Sequence, residues 1–220
     1  MPVEDPGRPN PPGHFDSRKV RWEQTVPADW WRNNQKALRL PLAFTKANGR
    51  FSGPALPYGV LYLGASPAAC FWESGLGRDL NSRMPEDMAF SESDLKSRWE
   101  YHLRIKPRGL RIFNAGDAVA RRSIGAKTAA CFSADHAVSR LWAEALMNAG
   151  ADGILYESTR HSPGLCLALF QTKASMASLS AARRIGSSYD NSSLLAELFT
   201  EGVSIMAGNF PITPQKIHDS

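Results

Sequence analysis

No stretch of this 220-residue sequence is apolar over the roughly 20 residues that a bilayer-spanning helix needs, which excludes such a helix. The N-terminus lacks a basic segment followed by an apolar one, so no secretory signal peptide is expected. Cysteine is scarce: Cys70, Cys131 and Cys166 form no CxxC pair, and their number is odd. A disulfide framework is therefore not expected, and a reducing, cytoplasmic setting fits. Each cysteine has apolar neighbours and reads as a small buried hydrophobe. The histidines are scattered, with no HExxH and no Cys/His cluster, so no metal is expected. No GxGxxG follows a strand, and no phosphate-cradling loop with its lysine is present. His161 lies close to Ser158, but no acidic orienter is evident, and proximity in sequence does not define a catalytic triad.

Charge is also unconcentrated. The basic pairs Arg121-Arg122 and Arg183-Arg184 have no aromatic platform beside them. A net charge of +5 makes no specific case for nucleic acid. It fits an anionic small substrate or an acidic protein partner equally well.

What is present is a globular composition, 43% apolar, with short strand and helix signals. Residues 1–13 are rich in Pro and Gly, and a disordered arm is expected there. Residues 14–43 carry Trp22, Trp30 and Trp31, too aromatic for a linker, and are expected to pack on the domain as an extension. Residues 44–220 are expected to form the domain with a C-terminal tail. Val60 to Leu63 reads as a short buried strand. Ser66-Pro67 then supplies an N-cap and a first-turn proline, predicting a helix from Pro67 to about Gly75, ended by Gly75 and Gly77. Residues 81–98 begin as a loop. Strands are predicted at Trp99–Ile105 and Leu110–Phe113, and a short helix at Asp117–Arg122. Ser133 caps the clearest helix, with Ala137, Val138, Leu141, Trp142, Ala145 and Leu146 at helical spacing and Gly150 closing it. Strands follow at Gly153–Tyr156 and Leu165–Phe170. Residues 171–192 look exposed, and Leu194–Glu201 reads as a last helix. Strands and helices without regular alternation point to an α+β fold.

Three segments resemble the RES domain, a family named for its arginine, glutamate and serine. They are Gly49-Arg50-Phe51, the run from Leu61-Tyr62-Leu63 through Ser66-Pro67 to Phe71-Trp72-Glu73, and Asp152-Gly153 through Glu157-Ser158-Thr159-Arg160 with Leu167–Phe170. The similarity covers about residues 44–173. Where the family usually carries asparagine after the glycine–arginine–aromatic start, this chain has Ser52. The resemblance implies an ADP-ribosyltransferase-like arrangement of mixed sheets with flanking helices. It implies a toxin of a toxin–antitoxin pair, with an Xre-type antitoxin as partner. It also implies cleavage of NAD, with Arg50, Tyr62, Glu73 and Ser158 as the catalytic set and Arg50, Tyr62 and Ser158 as the binding set.

Those residue types suit that chemistry. Breaking the nicotinamide–ribose bond passes through an oxocarbenium-like state, as in glycoside hydrolysis. Arg50 can hold pyrophosphate bidentately. Tyr62 offers a face for stacking, Glu73 a carboxylate for the cationic ribose, and Ser158 a hydroxyl to orient the substrate. Each also has an ordinary structural use: a salt bridge, a core tyrosine, a solvated helix residue, a strand-end hydroxyl. The leading expectation is NAD glycohydrolysis that depletes cellular NAD. The alternative is mono-ADP-ribosylation of a host protein, and a rival of another class is a non-catalytic basic binding module.

Overall fold

Ser66 is extended (φ −132°) and its Oγ accepts the Ala69 N–H, so the chain turns into a helix, α1 (Pro67–Glu73), directly after a strand, β2 (Val60–Gly64). This and the rest of the fold come from a computed structural model describing residues 10–11, 16–38, 40–74, 88–132, 135–161, 163–208 and 210–212. The helix ends at Glu73, with Ser74 as its C-cap; the expected terminators Gly75 and Gly77 lie outside the described residues. The expected arm also lies outside them, apart from residues 10 and 11.

The remaining strands are β1 (Asp29–Gln35), β3 (Ala89–Ser91), β4 (Arg98–Ile105), β5 (Ile112–Asn114), β6 (Gly153–Glu157), β7 (Leu165–Phe170), β8 (Leu179–Ser187), β9 (Ser204–Ala207) and β10 (Phe210–Ile212). The remaining helices are α2 (Glu92–Lys96), α3 (Ala118–Ser123), α4 (His136–Asn148), α5 (Lys173–Ser178) and α6 (Ser192–Thr200). Asp135 caps α4; the cap expected at Ser133 lies outside the described residues. The fold is α+β, as the irregular succession of elements implied. Seven strands form one sheet in the order β5-β6-β7-β2-β1-β4-β8, antiparallel except for β5 beside β6. A smaller sheet runs β10-β9-β3. Among the described residues, no helix is long and apolar enough to cross a membrane.

Two stretches differ from the expectation drawn from sequence. Residues 29–35, expected to lie in an extension packed on the domain, form β1 between β2 and β4. Trp30 is fully buried in the core below that sheet, and Trp22 bridges to Phe113 of β5. The stretch 171–192, expected to be exposed, contains α5 and β8, the outer strand. Arg183, Arg184 and Ile185 do face solvent. An edge strand carries charge because its outer backbone groups meet water, and the charge hides its alternation.

The sheet is nearly split. β2 pairs with β7 along its whole length, but it meets β1 at one register pair, Trp31 opposite Gly64. α1 lies over this seam. Its buried Ala68, Ala69 and Cys70 let it approach closely, while Phe71 and Trp72 enter a second core with Phe90, Leu194 and Leu198. The approach is closest at Gly64, where an added Cβ would lie 2.3 Å from the Cys70 nitrogen and 2.7 Å from its Cα. Both are backbone atoms that cannot rotate away. Gly64→Ala is expected to push α1 off the sheet and cost about 1–3 kcal/mol, as overpacking does. The check is the urea midpoint of unfolding, and an unchanged midpoint contradicts this packing.

Candidate active site

Glu73 occupies the last position of α1, and donors reach its carboxylate from two other parts of the chain. Ser158, just past β6, donates its Oγ hydrogen to Glu73 Oε1 over 2.7 Å. Tyr156, on β6, donates its hydroxyl to Glu73 Oε2 over 3.2 Å. Arg50 Nη2 lies 3.5 Å from Oε1 and donates to Thr159 Oγ1 over 2.9 Å. The Arg50 guanidinium also sits over the Tyr156 ring, 4.9 Å from its centroid. Burial, and next the nearby Glu73 charge, push the Tyr156 phenol well above its usual pKa, so it stays protonated and able to donate.

Arg50 is held by a loop built around Tyr62. The Tyr62 hydroxyl accepts the Phe51 N–H at 2.9 Å and lies 3.1 Å from Ser52 Oγ, which donates to the Ala47 carbonyl. A side chain at position 49 would meet Ser52 Oγ at 2.5 Å and the Tyr62 hydroxyl at 2.8 Å, which accounts for Gly49. Arg140 of α4 fixes the same loop by donating to the Gly49 carbonyl. Arg50 is only 7% exposed, and its Nε and Nη1 are buried without a hydrogen-bond partner. Unpaired buried donors are costly. Arg50 also borders a small cavity together with Tyr62, Glu73, His136 and Arg160.

A larger cavity, about 270 Å3, opens at the seam between β1 and β2 and shares Tyr62 and Glu73 with the first. Two buried arginines line it. Arg32 of β1 donates to the carbonyls of Tyr62 and Ala43, leaving Nε buried and unpartnered. Arg98 of β4 donates to Asn33 Oδ1. Burial lowers the pKa of both. Neither makes an ion pair among the described residues, so the cavity wall carries two buried guanidinium groups that the Glu73 carboxylate on the same wall does not pair. Cys70 also lines this cavity, but burial pushes its thiol up to about 12, and burial raises Cys166 too. Neither supplies a thiolate near neutrality.

The RES domain family model matches residues 27–190. This chain belongs to the RES domain family. Among solved structures, a chain of the M. tuberculosis MbcT-MbcA toxin-antitoxin complex matches with a TM-score of 0.55 and 17% identity, covering 84% of this chain and 96% of that chain. At that identity the likeness concerns the fold. A search of curated proteins found no match.

In this RES domain, Arg50, Glu73 and Ser158 meet through their side chains, and Tyr62 borders both cavities while its hydroxyl shapes the Arg50 loop. The sequence reading missed Tyr156, Thr159, Arg32 and Arg98. Tyr156 was within reach, since strand alternation puts it on the same face as Ser158. Thr159 adjoins Ser158. Arg32 and Arg98 carried no local signal.

Ser158 is fully used: its Oγ also accepts the N–H groups of Arg160, at 3.1 Å, and His161, at 3.2 Å. Ser158→Ala leaves three polar groups short of a partner in a site 5% exposed at Ser158. The expected loss is about 1–3 kcal/mol, read by chemical denaturation; a stability within experimental error of wild type contradicts it.

Proposed function

We propose that this RES domain is the toxin of a toxin–antitoxin pair and that it cleaves NAD between nicotinamide and ribose, with water as acceptor. The observation that carries this reading is the Glu73 carboxylate, held by Ser158 and Tyr156 beside a buried Arg50 with two unpartnered nitrogens. A fixed anion next to unsatisfied cationic donors suits a substrate with phosphates at one part and developing positive charge at another.

The roles follow from the chemistry. Arg50, with Arg32 and Arg98 at the seam, supplies charge-assisted donors to the two phosphates. Tyr62, between the cavities, offers its ring to the planar nicotinamide. The C1′–nitrogen bond breaks with its electron pair going to nicotinamide, which neutralises the ring cation. The ribose becomes oxocarbenium-like, and Glu73, already oriented by its donors, stabilises it without reorganising. Water adds its oxygen to C1′ and releases a proton. Ser158 and Tyr156 act through Glu73 by fixing its direction.

Mono-ADP-ribosylation of a protein uses the same bond cleavage and differs only in the acceptor. The partner in the first reading is an Xre-type antitoxin; a pairing of that general kind appears in the MbcT-MbcA toxin-antitoxin complex. An acidic segment entering the cleft would meet Arg50 and be favoured by the net charge of +5.

Incubation of the purified protein with NAD alone tests the proposal. Equal amounts of nicotinamide and free ADP-ribose are expected. ADP-ribose bound to protein instead points to transfer. No nicotinamide, together with salt-sensitive nucleic-acid binding, points to a non-catalytic basic module.

A further inference from the structure

His161 was set aside in the sequence for want of an acidic partner, but the fold supplies two. His161 Nε2 lies 3.1 Å from Glu197 Oε1, and Nδ1 lies 2.7 Å from Glu201 Oε1. The ring is only 11% exposed. Glu197 lies on α6, and Glu201 is its C-cap residue. A neutral imidazole has one N–H; donating from both nitrogens requires the imidazolium. The end of a helix, where backbone carbonyls point outward, is also a favourable place for a cation. These three residues are close enough to surround a metal ion. However, the two ring nitrogens address different carboxylates, the arrangement of an ion-pair bridge and not of shared ligation.

This bridge belongs to a closed circuit around Glu73. The second oxygen of Glu201 accepts the Trp72 indole N–H at 2.8 Å. Trp72 is buried and adjoins Glu73 on α1. On the other side, the His161 backbone N–H donates to Ser158 Oγ, which donates to Glu73. The loop is pinched shut by Ser158 N–H donating to the Gly164 carbonyl at 2.7 Å. Glu73 is thus held from both ends of one ring: through Trp72 and Glu201, and through Ser158 and His161.

Resting on the NAD-cleavage reading, we propose that His161 is a positioning residue: its imidazolium ties the Ser158 loop to the end of α6 and thereby fixes the Glu73 carboxylate. The groups facing the ring are Glu197 and Glu201 from α6 and its C-cap. Trp72 of α1 meets Glu201, and Arg160 of the ring's own loop reaches the Trp72 carbonyl. A ring with only one N–H would turn a lone pair toward one of the two carboxylate oxygens, so both anchors hold only with the doubly protonated ring.

The experiment combines nitrogen NMR of the ring with the kinetics of nicotinamide release. In wild-type protein, both ring nitrogens are expected to carry a bonded hydrogen, because each faces a carboxylate. His161→Gln removes the charge and one of the two anchors. It should lower the kcat for nicotinamide release several-fold with little change in KM, and shift the amide signals of Arg160 and residue 161. A wild-type ring with a single bonded hydrogen overturns the proposal, as does a His161→Gln protein with wild-type kcat. If the wild-type protein releases no nicotinamide, the NAD reading fails, and the ring hydrogens with the loop amide shifts still decide whether the clasp exists.

Discussion

The structure turns on one carboxylate placed where a carboxylate is expensive. Glu73 is mostly withdrawn from water, and a buried charge persists only when donors replace its hydration. Those donors come from elements far apart in the chain: the Arg50 loop, the end of β6 and the loop after it. Each has its own anchor. Tyr62 and Arg140 hold the Arg50 loop, Gly164 closes the Ser158 loop, and Gly64 lets α1 descend onto the sheet. The near-split between β1 and β2 belongs to the same design, because it opens a cavity directly beside Glu73. The sheet gives up most of the β1–β2 ladder, and Arg32, Asn33 and Asn34 of β1 line the cavity at that gap.

The charge balance around this centre is uneven in an informative way. Glu73 is well supplied with donors, while Arg50 and Arg32 retain buried nitrogens without acceptors. A site that only stabilised the fold would pair its guanidinium groups, since each unpaired donor costs free energy. Acceptor-rich phosphates would complete them, which is the physical basis for reading NAD as the substrate of this RES domain.

How much of this the sequence displayed depends on whether the signal was local. Ser66-Pro67 followed by small residues announces α1 because N-capping and close packing are decided within one turn, and Glu73 came with it. Leu165–Phe170 is a continuous apolar run, and its strand was legible residue for residue. Arg50 and Ser158 were reached through motif resemblance, not through periodicity. Arg32 and Arg98 were invisible because their burial arises only when β1 pairs with β4, opposite the seam. β8 escaped because an edge strand advertises charge where an interior strand advertises apolar residues. His161 shows the limit most clearly: its carboxylate partners arrive from α6, and no pattern near residue 161 foretells them.

In the proposed mechanism, Glu73 acts on the reaction and not merely on binding. The direct measurement compares wild type with Glu73→Gln, following nicotinamide release in single turnover and NAD affinity by calorimetry. The amide preserves shape but removes the charge that meets the cationic ribose. A fall in rate of roughly a hundred- to a thousand-fold with NAD still bound is the predicted result. Unchanged release by Glu73→Gln, or a loss explained wholly by lost NAD binding, contradicts it.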